Sequence, residues 1–192
     1  RYLRAFGDDR PLDAAGALEL LVSVHLRLEQ RREAHLAHDR LADLAASAAT
    51  HALRAAERSA AGALALARGD ATGAQWAYEE ALAGHEAVRT PYEVALAHLG
   101  LARALAAGTR QDAAREQAAA GLDLLEGLGA RRAARDARRL LAWLGGRRGG
   151  EGGLTPRETD VLVLVAEGLS NPQIAERLVE PVHRHGGIRV HA

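Results

Sequence analysis

Residues 91–129, PYEVALAHLGLARALAAGTRQDAAREQAAAGLDLLEGLG, carry the pattern that decides the fold. Tyr92, Ala95, Leu96, Leu99, Ala102 and Ala106 recur at helical spacing, which predicts one apolar face on one helix. Gly108-Thr109 breaks the period, and Ala114, Ala118, Gly121, Leu122, Leu125 and Leu128 resume it on a second helix, closed by Gly127 to Gly129. The segment therefore predicts a helical hairpin whose two stripes face each other.

Working outward, Gly69-Asp70 and Thr90-Pro91 mark further turns of the same kind. Gly69, Ala74 and Ala81 have counterparts 39 residues on in Gly108, Ala113 and Ala120, and a weaker copy with Ala34 and Leu41 lies about the same distance upstream. Small residues at fixed offsets let two helices approach closely, which is the physical content of a stacked hairpin repeat. Over roughly residues 12 to 143 the chain resembles the tetratricopeptide-like repeats. It departs from them in its longer period and in lacking most of their tryptophan and tyrosine positions. An ordinary antiparallel bundle of alanine-rich helices is the alternative. Either stack offers a surface for a peptide, a small effector or another copy of itself, and neither carries preformed catalytic chemistry.

Composition agrees with an all-α chain. Of 192 residues 44 are alanine, so the 48% apolar content overstates the large side chains able to bury area, and the core must be thin and close-packed. Aromatics at 3%, few β-branched residues and the best helix former in abundance exclude a β sandwich or barrel. The 25 basic residues balance 25 acidic ones, so no global field draws the chain to nucleic acid or an anionic membrane. All 25 are arginine, which removes Schiff-base chemistry, lysine general bases and the phosphate-loop ATPases. Without cysteine there is no disulfide, thiolate nucleophile or cysteine metal site. No apolar run approaches the roughly 18 residues of a membrane span, and no signal peptide opens the chain, so a cytoplasmic location is expected. The absence of methionine and the start at Arg1 read as a piece of a longer reading frame.

From Leu144 to Gly153 the sequence includes GGRRGGEGG, and a linker is expected there. Arginine concentrates just before it, at Arg131, Arg132, Arg135, Arg138 and Arg139, on a solvated helix face or against phosphates. The domains expected are 1–143, the helical repeats; 144–153, the linker; and 154–192, a small terminal domain.

That terminal domain opens with LTPRETDVLVLVAEGLSNPQIAERL, residues 154–178. Thr155, Pro156 and Glu158 make a capping box at the start of one helix, with Val161, Leu162, Val165 and Leu169 as its buried stripe. Gly168 ends it, and Ser170 with Gln173 repeats the box for a second helix bearing Ile174, Ala175 and Leu178 as core. Two short helices joined by a tight turn are the layout of a helix-turn-helix. The stretch resembles the LuxR-type DNA-binding domain in its L-T-x-R-E, V-L, G-x-S-N and I-A-x-x-L elements at uninterrupted spacing. The resemblance implies that Thr155, Arg157, Ser170 and Asn171 cap helices and contact phosphates, and that Val182, His183 and Arg184 approach the groove. For Thr155, a plain helix cap is the better reading.

The recognition helix departs from the family. Counting from Ile174, Val182, His185 and Ile188 come earlier than the family's valine, histidine and apolar position, so three residues are missing from the turn and a fourth from the helix. Gly186-Gly187 costs about 1 kcal/mol per glycine within a helix. The chain stops at Ala192 with no residues for the family's fourth helix.

His35 with His38, and His183 with His185 and His191, lack the carboxylates or cysteines of a patterned metal site, so no metal and no cofactor are expected. Glu79, Glu80, Glu86 and Arg89 read as a solvated face, and no serine, histidine and acid set has a catalytic context. The reading is therefore a non-enzymatic, LuxR-type transcriptional regulator that binds double-stranded DNA, its repeats receiving an effector or forming a homo-oligomer. The alternative is a protein-binding repeat scaffold with a degenerate DNA-binding domain.

Overall fold

The computed structural model describes residues 11–146, 156–166 and 168–179. Among them are α1 (Pro11–Arg27), α2 (Arg31–Ala48), α3 (His51–Ala67), α4 (Ala71–Ala87), α5 (Pro91–Ala107), α6 (Gln111–Gly127), α7 (Arg131–Gly146), α8 (Pro156–Ala166) and α9 (Asn171–Val179). No strand occurs among the described residues. The chain divides into two compact units, Arg1–Gly145 and Gly146–Ala192.

In the first unit consecutive helices pack as hairpins, α1 on α2, α3 on α4 and α5 on α6, and α3 also packs against α1 and α5. This is the tetratricopeptide-like arrangement. One apolar cluster joins α1 to α3 through Leu18, Val22, Leu41 and Leu53; another runs from the end of α3 to α7 through Leu99, Leu105, Leu125 and Leu140. Close approach is bought with small side chains. A Cβ on Gly121 would lie 2.9 Å from the Ala95 carbonyl oxygen of α5, and one on Gly84 would lie 2.8 Å from the Ala55 Cβ of α3.

The repeat is 40 residues, not 39. Left-handed residues stand at Glu29, Ala49, Gly69, Arg89, Thr109 and Gly129, one every 20 residues, with φ from 49° to 80°. Gly69 donates to the Leu66 carbonyl and Asp70 to that of Ala65; Thr109 and Arg110 do the same to Ala106 and Leu105. Two such bonds satisfy the last carbonyls of a helix and fix the turn. The counterpart of Gly69 is thus Thr109, while Gly108 has φ −83° and is the ordinary end of α5. In the corrected register Ala34, Ala74 and Ala114 coincide, each with no exposed surface, as do Leu41, Ala81 and Gly121.

Three details differ from the pattern read in sequence. Tyr92 and Leu96 are not core: α5 is buried around most of its circumference, and these two stand on its open side. Leu128, likewise expected in the α6 stripe, is exposed. Leu144, expected at the start of the linker, is fully buried near the end of α7, where its carbonyl accepts from Arg115 Nε at 3.3 Å.

Candidate nucleic-acid interface

Pro156 begins α8, the position at which its missing N–H costs nothing. The stop is built around Gly168, at φ +83°: Gly168 donates to the Val165 carbonyl at 2.9 Å and Leu169 to that of Leu164 at 3.1 Å. The same two-bond closure ends α1, α3, α4, α5 and α6, so one local rule terminates helices in both units.

Ser170 then caps α9. Its carbonyl accepts the first helical bond, from Ile174 N at 2.9 Å. Gln173 Oε1 reaches back to the Ser170 backbone N–H at 2.9 Å and accepts the Ser170 hydroxyl at 2.8 Å. The expected capping box is present in its Gln173 half. With the hydroxyl turned onto Gln173, Ser170 and Asn171 stand exposed at the first turn of α9, where backbone N–H groups and the helix dipole favour an anion.

The apolar pattern is only partly satisfied. Ile174 is buried between α8 and α9, as expected. Leu162 and Val165, expected in the buried stripe, are 49% and 50% exposed, and Ala175 is exposed too. The two described helices, 11 and 9 residues long, cannot cover that stripe by themselves. Arg157 lies in the first turn of α8. Thr155, Val182, His183 and Arg184 lie outside the described residues.

In the other unit, the arginines of α7 are all exposed. Arg138 pairs with Glu126 at 2.6 Å and Arg139 with Asp136 at 3.7 Å, whereas Arg131, Arg132 and Arg135 form no ion pair with a described residue. On α4, Gln75 donates to Glu79 at 2.8 Å and Glu80 pairs with Arg58 at 3.4 Å, which leaves that face solvated as read. Among the described residues no cluster of three or more histidine, cysteine or carboxylate side chains has the spacing to hold a metal, and no helix is long and apolar enough to cross a membrane.

Residues 153–179 match the family model of bacterial regulatory proteins of the luxR family. The match takes in α8, its glycine stop, the Ser170 cap and α9, and its last residue is the last of α9. No curated protein and no solved structure matches the chain.

Proposed function

We propose that the chain is a transcriptional regulator that binds double-stranded DNA through its luxR-family segment, with the helical repeats as the part that receives a signal or a second copy. The carrying observation is the coincidence of the family match with a helix stop at Gly168 and a capped helix start at Ser170. Those features set the angle at which α9 leaves α8, and a helix-turn-helix works by that angle. In this reading Ser170 and Asn171 present a helix N-terminus to a phosphate, and Arg157 and Thr155 contact the backbone beside it. Val182, His183 and Arg184 approach base edges in the groove. Nothing in this role requires catalysis, and a DNA-bound regulator works in the cytoplasm.

The experiment is an anisotropy titration of a long mixed-sequence duplex with the whole chain and with a chain ending at Gly146, at low and physiological salt. Binding that needs the terminal segment and weakens steeply with salt is the expected result, because contacts to phosphates release counterions. Equal or absent binding in both chains would overturn the reading and leave a protein-binding repeat scaffold.

A further inference from the structure

An opening in the repeat unit lies along its odd-numbered helices. It holds about 440 Å³ and is lined from α1, α3, α5 and α7, with Tyr78 reaching in from α4. That is within the roughly 300–1,000 Å³ of pockets that take small ligands. Its walls carry apolar side chains that the fold leaves uncovered: Leu20, 64% exposed, with Val24 on α1, and Tyr92 with Leu96 on α5. Exposed apolar side chains gathered in one concavity mark a binding surface rather than scattered surface residues.

One end of the pocket is cationic. Arg103, from α5, has its charge disfavoured by burial and by the nearby Arg27, from the last turn of α1. Arg103 spends one donor on the Leu99 carbonyl at 3.2 Å, and no described carboxylate lies in ion-pair contact with it. Asp136, which also lines the pocket and favours the charge on Arg103, pairs with Arg139 at 3.7 Å. A guanidinium has five N–H donors in a planar fork, so most of those on Arg103 remain for a planar anion. Beside it the Tyr78 ring is wedged between two glycines. A Cβ on Gly62 would fall 2.8 Å from the ring and one on Gly100 would overlap it, so the phenol is held in place.

Glu19, the other acid on the pocket wall, does not cancel this charge. Glu19 stands two turns before Arg27 on α1 and carries a carboxyl lifted to about 7 by burial and by Glu93 on α5. Ser59, which faces this carboxyl, belongs to a hydrogen-bonded chain. Thr90 donates its hydroxyl to the His85 carbonyl at 3.3 Å, so it accepts from His85 Nδ1 at 3.2 Å. Burial keeps His85 neutral, so its Nε2 is an acceptor, and Ser59 donates to it at 3.4 Å. The Ser59 hydroxyl pulls the Glu19 carboxyl down, and burial and Glu93 outweigh it.

We infer that this pocket binds a small carboxylic acid with an apolar body, its carboxylate held by Arg103 and Arg27 and its hydrocarbon laid along Leu20, Val24, Tyr92 and Leu96. The inference deepens the receiving role proposed above for the repeats. It is tested with octanoate and 3-phenylpropionate, and with octylammonium as the oppositely charged control, titrated calorimetrically into the whole chain. The expected result is saturable binding of both acids, none of octylammonium, and at least tenfold weaker binding in Arg103→Gln and in Arg27→Gln. Arg27 makes no hydrogen bond or ion pair with a described residue, so its variant tests the site even where Arg103→Gln fails to fold, with circular dichroism as the check. Acids that bind no tighter than octylammonium, or undiminished affinity in the folded variants, would overturn the site. The duplex titration repeated at saturating octanoate separates the two claims. A changed DNA affinity is expected, and an unchanged one would overturn the receiving role while leaving the site in place.

Discussion

The two units of this chain are built from the same helix-ending rule and differ in what their helices rest on. In the repeat unit the 17-residue helices α3, α4 and α5 each lie against two or more others, and residues as small as alanine suffice to fill the contacts. In the unit that holds the luxR-family match two helices of 11 and 9 residues close on each other around Ile174 and leave Leu162, Val163 and Val165 about half exposed. Isolated helices shorter than about 12–15 residues are marginal in water. Local signals thus define where helices start and stop in both units, while stability comes from the number of neighbours, and only the first unit has many among its described residues.

The largest effect expected is at the end of the first unit. Leu144 has no exposed surface. Leu144→Ala removes a fully packed side chain from between helices too small-grained to close the gap, at a cost of about 2–5 kcal/mol. Both tryptophans, Trp76 and Trp143, lie in the repeat unit, so urea unfolding followed by tryptophan fluorescence reads this unit alone. A midpoint that does not move would mean that α7 is not part of the cooperative stack, and the contrast between the units would lose its boundary.

Next comes Gly100→Ala, where the added methyl meets the Tyr78 ring, and Gly62 on the opposite side of the ring prevents retreat. Overpacking of this kind costs about 1–3 kcal/mol, offset by less than 1 kcal/mol of helix propensity. A loss of stability in the same fluorescence assay is expected. A gain would mean that the ring moves freely, and that the pocket wall is not preformed.

Glu19→Gln gives a smaller effect with a sign that depends on pH. The folded chain holds the Glu19 proton up to about 7 against an ordinary value of 4.5, with Glu93, Tyr78 and the Ser59 hydroxyl facing the group. Folding is therefore favoured by this group at low pH, and that contribution is lost as pH rises from about 4.5 through about 7. Relative to the parent chain, the glutamine variant is expected to be unchanged at pH 4 and more stable at pH 8, by on the order of 2 kcal/mol. Equal differences at both pH values would show that Glu19 titrates as an ordinary surface acid.

Much of this architecture was legible in sequence because its punctuation is chemical. The turns at Gly69, Thr90, Gly108 and Gly129 stand where breakers predicted them, and the Gln173 half of the Ser170 capping box formed as read. The true period was hidden because only two of the six left-handed positions between the repeat helices are glycine. Thr109 carries φ +64° on a β-branched residue, a conformation that sequence reading assigns elsewhere, and its neighbour Gly108 drew the count one residue short. The pocket left no local mark at all. Its charged residues stand at 19, 27, 103, 132 and 136, on three helices that only the stack brings together, and its apolar wall was read as core because Tyr92 and Leu96 keep helical phase with the buried positions.

The smallest effect expected bears most directly on the second unit. If α8 and α9 are held only by their mutual contact, a polar residue on the open side of α8 should be nearly free of cost. Leu162→Ser then changes the protection of the α8 and α9 amides in hydrogen exchange by less than about 0.5 kcal/mol, the range of ordinary surface substitutions. A cost of several times that would mean that the exposed stripe of Leu162 and Val165 is covered in solution. The contrast with the repeats would then lie in which surface supplies the neighbours, not in how many there are. Binding of the duplex by the same variant tells the two cases apart, since a stripe that only faces water has no reason to weaken it.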